Sequence, residues 1–191
     1  MADIVLRNIS KYYNDDAVIE NFSYTFTEGR TYCIMGKSGI GKTTLLGIIL
    51  GTQNADVGER IAEGAFSAVF QENRLIEGLT PVANVKMVLV EAAEADICSQ
   101  LLEILPQNSL YKKCSQLSGG MKRRVAIVRA MMHSSDYIVM DEPFGGLDEE
   151  SKKKTIEYIH RNLRGRTLII VSHEQKDAKL LDAQICLLTR E

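Results

Sequence analysis

Gly36-Lys37-Ser38-Gly39-Ile40-Gly41-Lys42-Thr43 is the stretch on which the fold turns. It fits the pattern G-x-x-x-x-G-K-[ST]. Just before it, Thr31 to Met35 is a short, nearly continuous apolar run, suited to a strand buried on both faces. Just after it, Thr43 to Leu50 reads as a helix, with Gly51 well placed as its C-cap. Strand, glycine loop and helix form the context the pattern requires. The glycines let the backbone wrap a polyphosphate with its N–H groups pointing inward. The helix start adds its positive dipole end. Lys42 is placed to reach the β and γ phosphates, and the Thr43 hydroxyl to ligate Mg²⁺. Alone, the pattern says only that the chain binds nucleotide through a P-loop. Kinases, GTPases and many ATPases share it.

Working outward, Ile4-Val5-Leu6 opens a strand, and Phe22, Tyr24 and Phe26 alternate with Ser23 and Thr25 in a period of two. Ala65 to Phe70, Tyr137 to Met140, Thr167 to Val171 and Ile185 to Leu188 read as further strands. From Leu75 to about Lys113 the pattern turns helical, with Pro106 ending or kinking the run. Ser118 precedes a helix in which Met121, Val125, Val128 and Met132 share a face, and Glu149 to Leu163 is another helix. Strands alternating with helices predict an α/β fold with a largely parallel sheet, and a helical lobe inserted between its strands.

A chain of 191 residues has room for one domain. Its 45% hydrophobic and 25% charged residues exclude disorder and collagen-like repeats. A net charge of −2 argues against a polyanion binder, so no nucleic-acid partner is expected. Cys33, Cys98, Cys114 and Cys186 are spaced for neither a zinc site nor a disulfide framework. Free thiols in a reducing compartment are expected. Ala2-Asp3-Ile4 after Met1 carries no basic leader, and no apolar stretch approaches the roughly 20 residues that span a bilayer. Any work at a membrane therefore needs a partner to hold the chain there.

Two further segments carry chemistry. Tyr137-Ile138-Val139-Met140-Asp141-Glu142 is an apolar strand ending in two acids. Beside the phosphate loop, Asp141 would join the Mg²⁺ shell and Glu142 would orient and deprotonate a water. That favours hydrolysis over simple binding. Leu117-Ser118-Gly119-Gly120-Met121 runs into a basic helix holding Lys122, Arg123, Arg124 and Arg129. Ser118 is a good N-cap, and the glycines leave backbone N–H groups bare at a positive helix end. The chain thus has a second anion site besides the first.

In this combination the chain resembles an ATP-binding-cassette (ABC) ATPase over nearly its whole length. Gly36–Thr43 resembles the family's Walker A motif, Leu117–Gly120 its signature motif, and Asp141-Glu142 the end of Walker B. Gln71 resembles the Q-loop glutamine, Gly146-Leu147-Asp148 the D-loop, His173 the switch histidine and Tyr13 the aromatic that stacks on adenine. Tyr12 competes with Tyr13 for that last role. The resemblance implies a P-loop NTPase (RecA-like) core with an antiparallel β lobe and an inserted helical lobe. It implies one domain over 1–191, with 1–72 and 136–191 as the core and about 75–135 as the helical lobe.

The resemblance also assigns roles. Gly36, Lys37, Ser38, Gly39, Ile40, Gly41, Lys42, Thr43 and Thr44 would hold ATP, and Thr43, Gln71 and Asp141 would hold Mg²⁺. Glu142, His173, Gln71 and Lys42 would be catalytic. Two copies would pair head to tail, with Ser118 and Gly120 of one contacting the γ-phosphate held by the other, Gly119 belonging to the same nucleotide site, and Asp148 facing the other's phosphate loop. The implied protein is a cytoplasmic ATPase on the inner face of the membrane, driving a separate permease, with an extracytoplasmic solute-binding protein.

Glu142-Pro143-Phe144-Gly145-Gly146-Leu147-Asp148 resembles importer cassettes. Met121 and Phe70-Gln71-Glu72-Asn73-Arg74-Leu75 resemble the nitrate, sulfonate and taurine importers. The alternative is a soluble ABC ATPase not coupled to transport. Lys42 and Gln71 are only 29 positions apart, which implies a trimmed β lobe, and Arg123-Arg124 departs from the family's usual pair.

Overall fold

A computed structural model of the chain describes residues 2–14 and 16–189. Met1 and Glu191, the limits expected for the single domain, lie outside the described residues. The chain separates into two compact units. One holds the N-terminal segment through Phe66, Ser135–Asp141 and the segment from Gly165 on. The other holds Ser67–Ser134 and Glu142–Arg164.

The first unit begins with strands β1 (Ile4–Tyr13) and β2 (Asp16–Phe26), followed by β3 (Thr31–Met35), helix α1 (Lys42–Leu50), β4 (Val57–Ile61) and the start of β5 (Phe66–Val69). β1 sits between β2 and β4 in an antiparallel three-stranded sheet, which forms the β lobe. The main sheet has the order β5-β6-β7-β3-β8, where β6 is Tyr137–Asp141, β7 is Thr167–Val171 and β8 is Gln184–Leu187. Strands β6, β7, β3 and β8 run parallel. Every residue of β6 and β7 is buried, which accounts for their unbroken apolar sequence. Ile34, Leu45, Ile48, Ile49, Val139 and Ile169 join one apolar core in which α1 lies against the sheet.

The second unit is helical: α2 (Pro81–Lys86), α3 (Glu94–Leu102), α4 (Gly119–Met132) and α5 (Glu149–Leu163), with short 3-10 turns at Gln107–Ser109 and Cys114–Gln116. The helical reading of 75–113 is therefore too generous. Pro81 starts a helix instead of interrupting one, with Thr80 as N-cap accepting from the Ala83 N–H at 3.3 Å. α3 stops at Leu102, ahead of Pro106, which leads into a 3-10 turn. Asn84, 1% exposed, ties the intervening loops together: its amide donates to Ile76 O and Thr80 O at 3.1 Å each, and its carbonyl accepts from the Ile76 N–H at 2.8 Å. Helix α6 (Gln175–Leu180) and strand β4, neither expected from the sequence, complete the chain. α6 has only six residues, too short for a periodic signal.

Candidate functional site: a phosphate cradle and a signature turn

β3 ends at Met35 and delivers the chain into the glycine loop, and α1 starts at Lys42. Gly41 takes φ 110°, a conformation closed to side chains, and a Cβ there would meet Val18 Cγ1 at 2.8 Å. No side chain caps α1. Its first-turn N–H groups and its dipole are thus left to an anion. Lys42 is 6% exposed and folds back over the loop, its Nζ donating to Gly36 O and Lys37 O at 2.9 Å each. Two of its three donors hold the loop's shape and the third remains for a phosphate oxygen.

Thr43 Oγ1 donates to Asp141 Oδ2 at 2.9 Å. Asp141 is the last residue of β6 and is 5% exposed. A hydroxyl and a carboxylate brought together beside a phosphate cradle are hard oxygen ligands of the kind Mg²⁺ takes, with the balance of its shell supplied by phosphate and water. The residues fit that ion.

In the same unit Tyr13 is the last residue of β1 and is 46% exposed. Its hydroxyl donates to Gln53 Oε1 at 3.1 Å, and Lys11 Nζ lies 5.7 Å from its ring centroid. Tyr12 is also exposed. His173 is exposed two residues beyond β7. The turn that carries it is braced from below: the buried Ser172 hydroxyl donates to Asp177 Oδ2 at 2.6 Å and accepts from the Glu174 N–H at 3.1 Å.

The second unit holds the remaining candidates. Ser118 is the N-cap of α4, its Oγ accepting from the Met121 N–H at 3.2 Å. Gly119 is open, whereas a Cβ on Gly120 would meet Gly146 O at 3.0 Å and Leu147 Cδ2 at 3.1 Å. The signature turn therefore packs directly on the Gly146-Leu147-Asp148 segment. Asp148 caps α5, accepting from the Ser151 N–H and hydroxyl at 2.8 Å each, and these bonds hold its carboxyl below the ordinary range. Glu142 has φ 47°, a left-handed conformation that costs a non-glycine residue about 1–2 kcal/mol. Strain of this kind concentrates at functional sites. Gln71 is exposed just past β5.

The geometry thus brings Lys42, Thr43 and Asp141 together in one unit, and Ser118, Gly120 and the Asp148 segment in the other. Sequence reasoning missed two supports, Asp177 beneath the His173 turn and the arginines of α4 that grip the Gln71 loop. The basic run after the signature was visible, but nothing in it said where the guanidinium groups point.

The profile of the family described as ABC transporter matches residues 19–145. The chain belongs to that family. It is 33% identical to the spermidine/putrescine import ATP-binding protein PotA of Pasteurella multocida, over 98% of this chain and 56% of that protein. It is 30% identical to the ergothioneine transport ATP-binding protein EgtV of Helicobacter pylori, over 93% of each. The chain thus spans little more than half the length of the PotA relatives it matches. Among solved structures, the ATP-binding cassette MJ0796 in a dimeric post-hydrolysis state bound to ADP and Pi superimposes with a TM-score of 0.87 at 27% identity, covering 97% of this chain and 94% of that one. The ABC cassette fold, with its P-loop core, antiparallel β lobe and helical lobe, is therefore the fold of this chain. The relatives named here handle polyamines and ergothioneine, so the finer resemblance to nitrate, sulfonate and taurine cassettes finds no specific support among them.

Proposed function

We propose that this chain is the ATP-hydrolysing subunit of an ABC importer, acting as a head-to-tail pair on a separate membrane permease. The observation that carries the reading is the meeting of Thr43 and Asp141 at 2.9 Å beside a lysine already folded into the glycine loop. A cradle with its own cation and a hard oxygen pair suits Mg-ATP.

In this reading Lys42 neutralises the β and γ phosphates, and the loop N–H groups from Gly36 to Thr44 orient them. Thr43, Asp141 and Gln71 hold Mg²⁺, which when bound draws charge from the phosphate oxygens. Glu142 accepts the proton of the attacking water, His173 donates toward the γ-phosphate, and Tyr13 stacks on adenine. Ser118, Gly119 and Gly120 of one copy meet the γ-phosphate bound by the other, and Asp148 faces the other's loop. ATP binds the closed pair better than the open one, and hydrolysis removes that preference. Residues 1–72 and 136–191 serve as the catalytic core of a single domain, and about 75–135 as the lobe presenting the signature.

No helix among the described residues is long and apolar enough to cross a membrane. We place the subunit on the cytoplasmic face, held by its permease and served by an extracytoplasmic solute-binding protein. The names of the relatives support import of a small organic solute.

Glu142→Gln should lower the turnover number at least about 100-fold while leaving ATP affinity intact, as loss of a general base does. Turnover at the native rate would remove Glu142 from the role. Affinity purification from native membranes should recover a multi-span permease. Recovery of the chain without one would favour an ABC ATPase uncoupled from transport.

A further inference from the structure

Two arginines of α4 reach back to the loop that carries Gln71. Arg123, 7% exposed, donates through Nη1 to the Phe70 carbonyl and through Nη2 to the Gln71 carbonyl. Arg129 donates through Nη1 to Arg74 O at 2.9 Å and through Nη2 to Asn73 O at 3.4 Å. Four carbonyls within five residues are thus gripped by two planar forks. Further along, Lys122 of α4 pairs with Glu77 at 2.9 Å, and in the 3-10 turn ahead of α4 the Cys114 N–H donates to Leu79 O at 2.8 Å. A guanidinium spans two successive carbonyls because its donors are fixed in one plane. An ammonium cannot satisfy both in the same way.

We propose that Arg123 is a positioning residue that locks the backbone of Gln71 to the signature helix, so that Gln71 and the Ser118-Gly119-Gly120 turn move as one body. The inference rests on the reading of Gln71 as an Mg²⁺ ligand only for its effect on catalysis. Its structural content stands without it. A burial cost accompanies this arrangement, since a guanidinium withdrawn from water must find acceptors, and the loop carbonyls are among them.

Hydrogen–deuterium exchange of the purified chain, without nucleotide, tests the lock directly. In Arg123→Gln the amides of residues 70–76 should exchange at least about fivefold faster, and Arg123→Lys should fall between the two. Unchanged exchange in both variants would overturn the proposal. If Arg123→Gln does not fold, Arg123→Lys alone carries the test in the same way.

The Mg²⁺ dependence of ATPase activity provides the catalytic arm. Arg123→Gln should raise the Mg²⁺ concentration for half-maximal rate severalfold, and should add nothing in a Gln71→Ala background. Equal effects in both backgrounds would show that Arg123 does not act through Gln71 and would contradict the proposal. A Gln71→Ala variant with native Mg²⁺ dependence would remove the assignment of Gln71 while the exchange result still decides the lock.

Discussion

The glycine loop before α1 and the signature turn before α4 are both helix N-termini opened by glycine, yet they are built differently. The first has no side-chain cap and brings its own buried cation, Lys42. The second is already capped, because the Ser118 hydroxyl accepts from the Met121 N–H. Its nearest lysine, Lys122, is paired with Glu77. On the reading proposed above, the first is a cradle that would hold a polyphosphate by itself. The second offers N–H groups, a dipole and an open glycine, enough to complete a phosphate held elsewhere but not to gather one. This difference is what the proposed pairing of two copies would require of a turn that serves the other copy's nucleotide.

The two turns should differ most in nucleotide binding. Lys42→Ala should weaken ATP binding at least tenfold in titration calorimetry, since a charge-assisted bond is worth about 1.5–3 kcal/mol. Ser118→Ala should leave the affinity of the isolated chain within about twofold. Equal losses in the two variants would make the second turn a cradle like the first.

A smaller contrast concerns stability. Gly41→Ala places a side chain at φ 110° and against Val18, so chemical denaturation should report a loss of about 1–3 kcal/mol. Gly119→Ala meets open space and should stay within about 0.5 kcal/mol. A loss at Gly119 as large as at Gly41 would mean that the signature turn is as tightly built as the loop.

How much of this was legible in the sequence follows the same division. The core strands could be read because burial on both faces leaves an unbroken apolar run, as in Tyr137–Asp141 and Thr167–Val171. The Ser118 cap could be read because hydroxyl, glycine and apolar periodicity lie in succession. The course of the chain ahead of α4 could not. α2 and α3 are short, and the loops around them are held by Asn84 and by arginines whose acceptors lie about fifty residues away in sequence. Strand β4 was hidden as well, because Val57–Ile61 contains Gly58 and two charged residues and has no fully buried position. The site was more legible than its supports, since chemistry fixes which residue types hold phosphate, whereas many residue types can hold a loop.

The smallest effect is at the thiols under the cradle. Burial pushes Cys33, on the strand feeding the loop, up to about 11, with Asp177 adding to the shift, and pushes Cys186 up to about 12. Raised values lower the thiolate fraction at neutral pH, so both should resist alkylation below pH 9, while the partly exposed Cys98 labels first. Mass-spectrometric mapping after iodoacetamide checks this. Rapid labelling of Cys33 at pH 7.5 would show that the strand opens far more readily than its burial suggests.

The most direct test is the mass in solution of the Glu142→Gln chain with ATP, measured by light scattering. A dimer should form with ATP, dissociate with ADP, and fail to form when Ser118→Ala or Lys42→Ala is added. A chain that binds ATP stoichiometrically and remains a monomer at micromolar concentration, or a dimer indifferent to Ser118, would contradict it.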